Sequence, residues 1–195
     1  MKKLLGIVVL GLLLSGNSNA CEKEDFIKYI SGGKNKCIAI LNLGKIKKGK
    51  KNLIVFLHGD GSPNSPRPGV PKKSHIRFAK ELINNDNNIF LFARPGYFIR
   101  ERGSSEEDRY SSGPRDAIKS TIVNYDWKNF QILAPALQNL RKYYKPEKLI
   151  LIGHSGGAYQ GGTIHGKVPG LVDINILISC PCDWEIRKKL SNGKK

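Results

Sequence analysis

A serine flanked by glycines stands directly after an apolar segment. Residues 148–152 (KLILI) predict a buried strand, and the motif GHSGG at residues 153–157 follows it with the pattern G-x-S-x-G. This pattern is typical of a sharp turn from a strand into a helix, in which glycines make room for a strained, exposed serine. Ser155 could therefore attack an ester or amide carbonyl. The amide of Gly156, at a helix N-terminus, is suited to stabilise the resulting oxyanion.

A second glycine-containing turn occurs earlier in the chain, in FLHGDG at residues 56–61. It follows another apolar segment, and its position before the serine motif is where a second oxyanion-hole amide is supplied in enzymes with such a serine turn. We assign this amide to Asp60, with Gly61 as the alternative. The pattern HG-x-G by itself is weak evidence for an oxyanion-hole turn. Its position before the Ser155 motif strengthens that evidence.

A nucleophilic serine needs a base, and the chain has four histidines: His58, His75, His154 and His165. If residues 156–166 are helical, His165 lies about 15 Å along the axis from Ser155, at ~1.5 Å per residue. Proton transfer needs a separation of about 3 Å. The other three are expected to have structural or surface roles. We therefore expect none of the four histidines to be the base.

The surrounding elements predict how these motifs are positioned. Short apolar segments alternate with amphipathic ones from Lys51 onward, which is typical of strands and helices alternating around a parallel sheet. Strands are predicted at residues 52–57, 88–93, 148–152 and 172–179, and helices at 74–85 and around 130–144. Pro135 is expected to kink or restart the second helix. The polar segment 97–125 is expected to be an exposed excursion at one rim.

Four motifs in order resemble a bacterial branch of the α/β-hydrolase superfamily: HGDGSP (58–63), RPGY (94–97), GHSGG (153–157) and SCPCD (179–183). The likeness covers about residues 50–187. It implies the α/β-hydrolase fold, a mostly parallel sheet flanked by helices, with no cofactor and no metal. By this resemblance Ser155 is the nucleophile, and the amides of Asp60 and Gly156 form the oxyanion hole.

The resemblance also indicates what the sequence does not contain. In this superfamily an acid and then a histidine follow the serine, on loops after later strands. No suitable histidine follows Ser155, so residues 21–195 are expected to be the N-terminal two-thirds of the domain, with an unpaired sheet edge. Asp183 is the alternative acid. Arg94 and Tyr97 are expected to line the substrate pocket.

The function implied is an exported, carboxylesterase-like serine hydrolase. It would cleave a small-molecule ester, or a peptide, through an acyl-enzyme on Ser155, with its histidine base absent from the given sequence. Two alternatives stay open: an inactive α/β-hydrolase remnant or binding protein, and a serine peptidase of the prolyl-oligopeptidase-like type. The sequence does not indicate an oligomeric state.

Residues 1–20 predict a cleaved signal peptide. Two lysines precede an apolar segment at residues 4–14, and Ser18-Asn19-Ala20 offers small residues for cleavage. The apolar segment is shorter than the ~20 residues that span a bilayer, so no transmembrane span is expected after cleavage. The predicted location is the periplasm or the cell exterior. Lipidation of Cys21 is an alternative.

An exported chain can form disulfides, and this one has four cysteines. Cys21 with Cys37 is the expected pair. Cys180 and Cys182 flank Pro181 and are expected to be too close to bridge without strain. A C-x-C pair without a second pair at ligand spacing does not predict a metal site.

The chain is strongly basic, with 33 Lys and Arg against 16 Asp and Glu and a formal net charge of +17. The basic residues are spread through all predicted elements without interleaved aromatic side chains. This distribution predicts a solvated basic surface and no specific nucleic-acid recognition, although attraction to anionic polymers is physically reasonable.

Overall fold

The structure is a computed structural model that describes residues 26, 28–60, 73–99, 109–113 and 127–182. The described elements, in chain order, are β1 (Tyr29–Ser31), β2 (Cys37–Leu43), β3 (Asn52–Leu57), α1 (Lys73–Lys80), β4 (Asn87–Phe92), β5 (Phe98–Ile99), β6 (Arg109–Tyr110), α2 (Trp127–Tyr144), β7 (Lys148–His154), α3 (Gly156–Lys167) and β8 (Ile174–Ile178).

Six strands form one sheet in the order β1-β2-β4-β3-β7-β8, and β5 and β6 form a separate hairpin. The strands β4, β3, β7 and β8 are parallel neighbours, whereas β1 and β2 are antiparallel additions at one edge. The sheet is therefore mostly parallel, as predicted. Its central strands β3, β4 and β7 are apolar over their middle residues because helices cover both faces.

The two faces of β3 show how the core is divided. Leu53, Val55 and Leu57 belong to a buried cluster with α2 and with Ile164 of α3. Ile54 and Phe56 point to the opposite face, where Ala79 of α1 covers them. The helices therefore flank the sheet on both sides, and α3 leaves the sheet directly after β7.

The predicted elements agree with the structure within a few residues, with three differences. The segment 97–125 was expected to be exposed, but Tyr97, Phe98 and Ile99 in its described part are buried. The helix α2 continues through Pro135 from Trp127 to Tyr144, so the expected restart is wrong. Buried side chains on both sides of the proline, among them Leu133 and Leu137, pack against the same sheet and hold one continuous helix. The antiparallel strands β1 and β2 were not predicted from the sequence.

The strand β8 is the outermost strand of the sheet in the described part of the chain. Its side chains Ile174, Ile176 and Leu177 are 40%, 43% and 40% exposed. Within the same described part, the helices lack the length and apolarity that crossing a membrane would require.

Candidate active site

Three motif turns meet at the carboxyl ends of adjacent parallel strands. The turn with Asp60 follows β3, the turn with Arg94 and Tyr97 follows β4, and Ser155 follows β7. The pairing of β3 with both neighbours brings these turns to one edge of the sheet. Binding sites of open α/β sheets lie at this edge.

Ser155 occupies a strained turn between β7 and α3. Its backbone angles are φ 53° and ψ −118°, in a region sparsely populated by residues that carry a side chain. The amide of Ser155 donates to the Ile178 carbonyl of β8 at 2.8 Å, and its carbonyl accepts from the Tyr159 amide at 3.1 Å. The predicted strand-to-helix turn is therefore present, and hydrogen bonds on both sides hold it.

The glycines of the serine motif allow backbone segments to come close. A Cβ atom on Gly153 would lie 2.5 Å from the Cα of Ala158, and one on Gly157 would lie 2.6 Å from the His58 carbonyl oxygen. Real Cβ atoms essentially never approach this closely. The start of α3 therefore packs against the ends of β7 and β3 only because Gly153 and Gly157 lack side chains.

Asp60 lies beside the first residue of α3. A Cβ atom on Gly156 would be 2.7 Å from the Asp60 carboxyl carbon and 2.7 Å from a guanidinium nitrogen of Arg94. The structure thus brings together Ser155 and the two residues whose amides were predicted to form an oxyanion hole. Gly59 also lies beside the serine turn, because its Cβ position is 3.1 Å from the Cβ of Ser155.

Arg94 and Tyr97 hold the Asp60 turn in this structure. The Arg94 guanidinium forms an ion pair with the Asp60 carboxylate, and the Tyr97 hydroxyl donates to the Asp60 carbonyl at 3.3 Å. The guanidinium carbon lies 4.9 Å from the centre of the Tyr97 ring. Both Arg94 and Tyr97 are fully buried. Their expected role in lining a pocket stays a prediction.

His58 is a fixed part of this scaffold. Its Nδ1 lies 2.6 Å from the Gly59 carbonyl oxygen, and its Nε2 accepts a hydrogen bond from the Arg94 amide at 3.0 Å. Nδ1 therefore carries the proton. Burial, and secondly the positive charge of Arg94, hold the pKa of His58 well below its usual range. The imidazole is neutral, and both its nitrogens are engaged.

Of the other three histidines, His154 lies beside the serine turn, since the Cβ position of Gly59 is 2.9 Å from its Nδ1. The His75 ring is 5.2 Å from Phe56 and 5.3 Å from the His154 ring, between centroids. His165 is exposed in the last turn of α3. Within the described residues, the Ser155 hydroxyl forms no hydrogen bond with any of the four histidines. The expectation that none of them is the base stays a prediction.

Several predicted residues cannot be placed. Asp183, Gly61 and Cys21 lie outside the described residues. Cys37 is disulfide-bonded, and its partner also lies outside them, so the pairing with Cys21 stays a prediction. In the described part of the chain, no group of three or more His, Cys, Asp or Glu side chains is arranged to hold a metal ion.

Cys180 and Cys182, which were expected to bridge only with strain, are bonded to each other. Their Cα atoms lie 5.1 Å apart, within the usual range of about 4.4–6.8 Å for disulfides. Sequence reasoning also missed the ion pair between Asp60 and Arg94. The sequence feature that could have predicted this ion pair is the presence of opposite charges in two motifs that follow neighbouring strands.

No family model and no curated protein matches this sequence. Solved structures do match it. An esterase of Pyrococcus furiosus is 19% identical with a TM-score of 0.55, and the match covers 86% of this chain and 55% of that one. Est1E of Butyrivibrio proteoclasticus, solved with ferulic acid, is 11% identical with a TM-score of 0.56, covering 80% and 53%.

A 2-hydroxy-6-oxo-6-phenylhexa-2,4-dienoate hydrolase of Rhodococcus is 15% identical with a TM-score of 0.50, and the match covers 79% of this chain and 46% of that one. The chain thus spans about half the length of these structures. The chain has the α/β-hydrolase fold.

Proposed function

We propose that this protein is a serine hydrolase that cleaves carboxylic esters through an acyl-enzyme on Ser155. The observation that carries the proposal is the φ of 53° at Ser155, in a turn between β7 and α3 that packs against the Asp60 turn. Strain of this kind costs about 1–3 kcal/mol and persists where surrounding structure enforces it, most often at functional sites.

The proposed reaction begins with attack of the Ser155 hydroxyl oxygen on the ester carbonyl carbon. The carbonyl oxygen becomes an oxyanion, which the amides of Asp60 and Gly156 stabilise by hydrogen bonds. Collapse of this intermediate releases the alcohol and leaves an acyl group on Ser155. Water then attacks the acyl carbonyl, releases the carboxylic acid and restores the serine.

The Asp60 carboxylate would oppose this chemistry if its charge were not balanced. A negative charge beside an oxyanion raises the energy of the intermediate by Coulomb repulsion. The guanidinium of Arg94 pairs with that carboxylate, so the turn presents its amide without a net negative charge. We therefore assign Arg94 a positioning and charge-balancing role beside the proposed oxyanion hole.

We do not assign the base that takes the proton of Ser155 to any of the four histidines. His58 is neutral, buried and engaged at both nitrogens, and the remaining three form no hydrogen bond with the Ser155 hydroxyl among the described residues. Asp183 stays the proposed acid.

An ester substrate is preferred over an amide because an alcohol leaves with less protonation than an amine does. The predicted signal peptide adds the proposal that the enzyme acts in the periplasm or outside the cell.

A binding protein without catalytic activity is the second candidate. One observation favours it, namely that no histidine in the described part of the chain forms a hydrogen bond with the Ser155 hydroxyl. The two candidates differ in serine reactivity. An activated serine reacts with a fluorophosphonate, whereas an unactivated one does not.

The test combines covalent labelling with ester hydrolysis. A fluorophosphonate should label the wild-type protein at Ser155, as read by peptide mass spectrometry, and p-nitrophenyl acetate should be hydrolysed. Both signals should be absent in Ser155→Ala and unchanged in Ser74→Ala, which alters an exposed serine of α1. Equal hydrolysis by wild type and Ser155→Ala would overturn the proposal. Failure of the wild type to be labelled would favour the binding protein.

A further inference from the structure

Two connections at the amino ends of the parallel strands are unusually basic. Residues 45–51 lead into β3 and residues 141–148 lead from α2 into β7. Together these fifteen residues hold nine of the 33 Lys and Arg of the chain and one acid, Glu147. We call these two segments the basic edge. It lies at the end of the sheet opposite to Ser155, because Ser155 follows the carboxyl end of β7.

The two segments form one continuous surface. The Gly49 amide donates to the Tyr144 carbonyl at 3.2 Å, and the Lys148 amide donates to the Lys51 carbonyl at 3.0 Å. The Lys48 ammonium lies 3.9 Å from the centre of the Tyr143 ring. Lysines that are separated by about a hundred positions in the sequence are therefore held side by side.

The side chains of three of the nine basic residues form hydrogen bonds or ion pairs within the described part of the chain. Lys50 donates to the carbonyls of Lys45 and Asn87 at 2.8 and 2.9 Å. Arg141 pairs with Asp173 at 3.1 Å, and Lys51 lies 3.9 Å from Asp86. The other six form no ion pair with a carboxylate in the described part of the chain: Lys45, Lys47, Lys48, Lys142, Lys145 and Lys148.

A cleft of about 390 Å³ opens within the basic edge. Lys48, Lys142 and Lys145 contribute to its lining, together with Ser31, Asn139 and two aromatic rings. None of the lining residues is acidic. Three ammonium groups around one cleft repel each other, and a phosphate group between them would relieve that repulsion.

We propose that the basic edge docks the protein on an anionic membrane surface by binding the phosphate groups of lipids. Clusters of four to eight basic residues are typical of segments that bind anionic lipid headgroups. The export predicted from residues 1–20 would bring the protein to such membranes. Docking through this edge leaves the Ser155 edge facing away from the bilayer, so the proposal does not depend on the proposed hydrolase function.

The chemistry of the edge favours lipid over nucleic acid. Eight of its nine basic residues are lysines, whereas arginine supplies the bidentate geometry used for phosphate and base recognition. Proteins that bind single strands also stack bases on aromatic rings. The Tyr143 ring is stacked with Phe26 at 3.8 Å and has Lys48 over it at 3.9 Å, so both of its faces are occupied.

The test is co-sedimentation with vesicles of phosphatidylcholine containing 30% phosphatidylglycerol, compared with vesicles of phosphatidylcholine alone. The first should bind the protein and the second should not, and 0.5 M NaCl should abolish binding because salt screens the interaction. Each lysine near an anionic surface contributes about fivefold to partitioning. The triple variant Lys48→Gln, Lys142→Gln, Lys145→Gln should therefore bind about a hundredfold less.

A matched control separates this surface from the overall charge. The triple variant Lys34→Gln, Arg77→Gln, Lys80→Gln removes the same charge from exposed positions outside the basic edge and should lose less than about threefold. Circular dichroism should show that both variants are folded. Equal losses in the two variants, or no binding to the anionic vesicles, would overturn the proposal. Tighter binding of a 20-nucleotide DNA with the same lysine dependence would replace it with nucleic-acid binding.

Discussion

Two glycines of α3 should respond in opposite directions when a methyl group is added. A Cβ atom on Gly157 would lie 2.6 Å from the His58 carbonyl oxygen, and the contacted atoms belong to the backbone at the end of β3. A Cβ atom on Gly162 would meet only a side-chain carbon of Leu177 at 3.7 Å and the sulfur of Cys182 at 4.0 Å. Gly157→Ala is therefore the perturbation, and Gly162→Ala is its control within the same helix.

The expected magnitudes follow from two opposing contributions. Alanine stabilises a helix interior by about 0.5–1 kcal/mol relative to glycine, which applies to both positions. Overpacking costs about 1–3 kcal/mol, and the upper end applies at Gly157 because backbone atoms have to move. Gly157→Ala should lower the free energy of unfolding by about 2 kcal/mol, and Gly162→Ala should raise it by about 0.5–1 kcal/mol.

Urea unfolding followed by circular dichroism measures both changes. With a slope of about 2 kcal/mol/M, the midpoint should fall by about 1 M in Gly157→Ala and rise by about 0.3–0.5 M in Gly162→Ala. Gly157→Ala should also reduce fluorophosphonate labelling, because α3 positions the serine turn. A Gly157→Ala protein as stable as the wild type would show that the start of α3 does not pack against β3 as described.

Three further outcomes follow from the same site. In urea unfolding, Asp60→Asn should lower the free energy of unfolding by about 3–5 kcal/mol, because it removes a counter-charge from the Arg94 side chain, which is 0% exposed. Arg94→Met should lower it by only about 1–2 kcal/mol, because the Asp60 carboxylate that remains is 24% exposed to water. The reverse order would contradict the burial described. Ser155→Gly should stabilise the chain by about 1 kcal/mol by relieving the positive φ, whereas Ser155→Ala should not; equal stability of the two variants would exclude strain at this turn. The pKa of His58 is lowered in the folded chain, so below about pH 6.5 the unfolded chain binds more protons than the folded chain does. The free energy of unfolding should therefore decrease as the pH is lowered in this range, by up to about 1.4 kcal/mol per pH unit. That slope should be smaller in His58→Gln, and an unchanged slope would exclude His58 as its source.

The parts of the fold that could be predicted are those encoded locally. The strand β3 was predicted with its observed bounds because its apolar residues are continuous and are covered on both faces. The serine turn was predicted because glycines and a serine in this order have few other uses after a strand. The restart expected at Pro135 does not occur because packing over a long buried face outweighs a local helix breaker.

Features that depend on distant parts of the chain were missed. The pair of Asp60 and Arg94 joins turns that are 34 positions apart and meet only because β3 and β4 are parallel neighbours. The bond between Cys180 and Cys182 was missed for a local reason, because the spacing of two cysteines does not specify the backbone conformation between them. Sequence motifs located the candidate site, and strand register decided which side chains contact each other.

The hydrogen bond from the Ser155 amide to the Ile178 carbonyl links the serine turn to the outermost described strand. Strands at a sheet edge, with exposed side chains, open more readily than central strands do. The exchange of the Ser155 amide proton with deuterium should therefore follow the fraying of β8 and be faster than exchange from β3. Warming should disorder the serine turn before the core of the sheet opens, so that reactivity of the serine is lost below the temperature at which the protein as a whole unfolds.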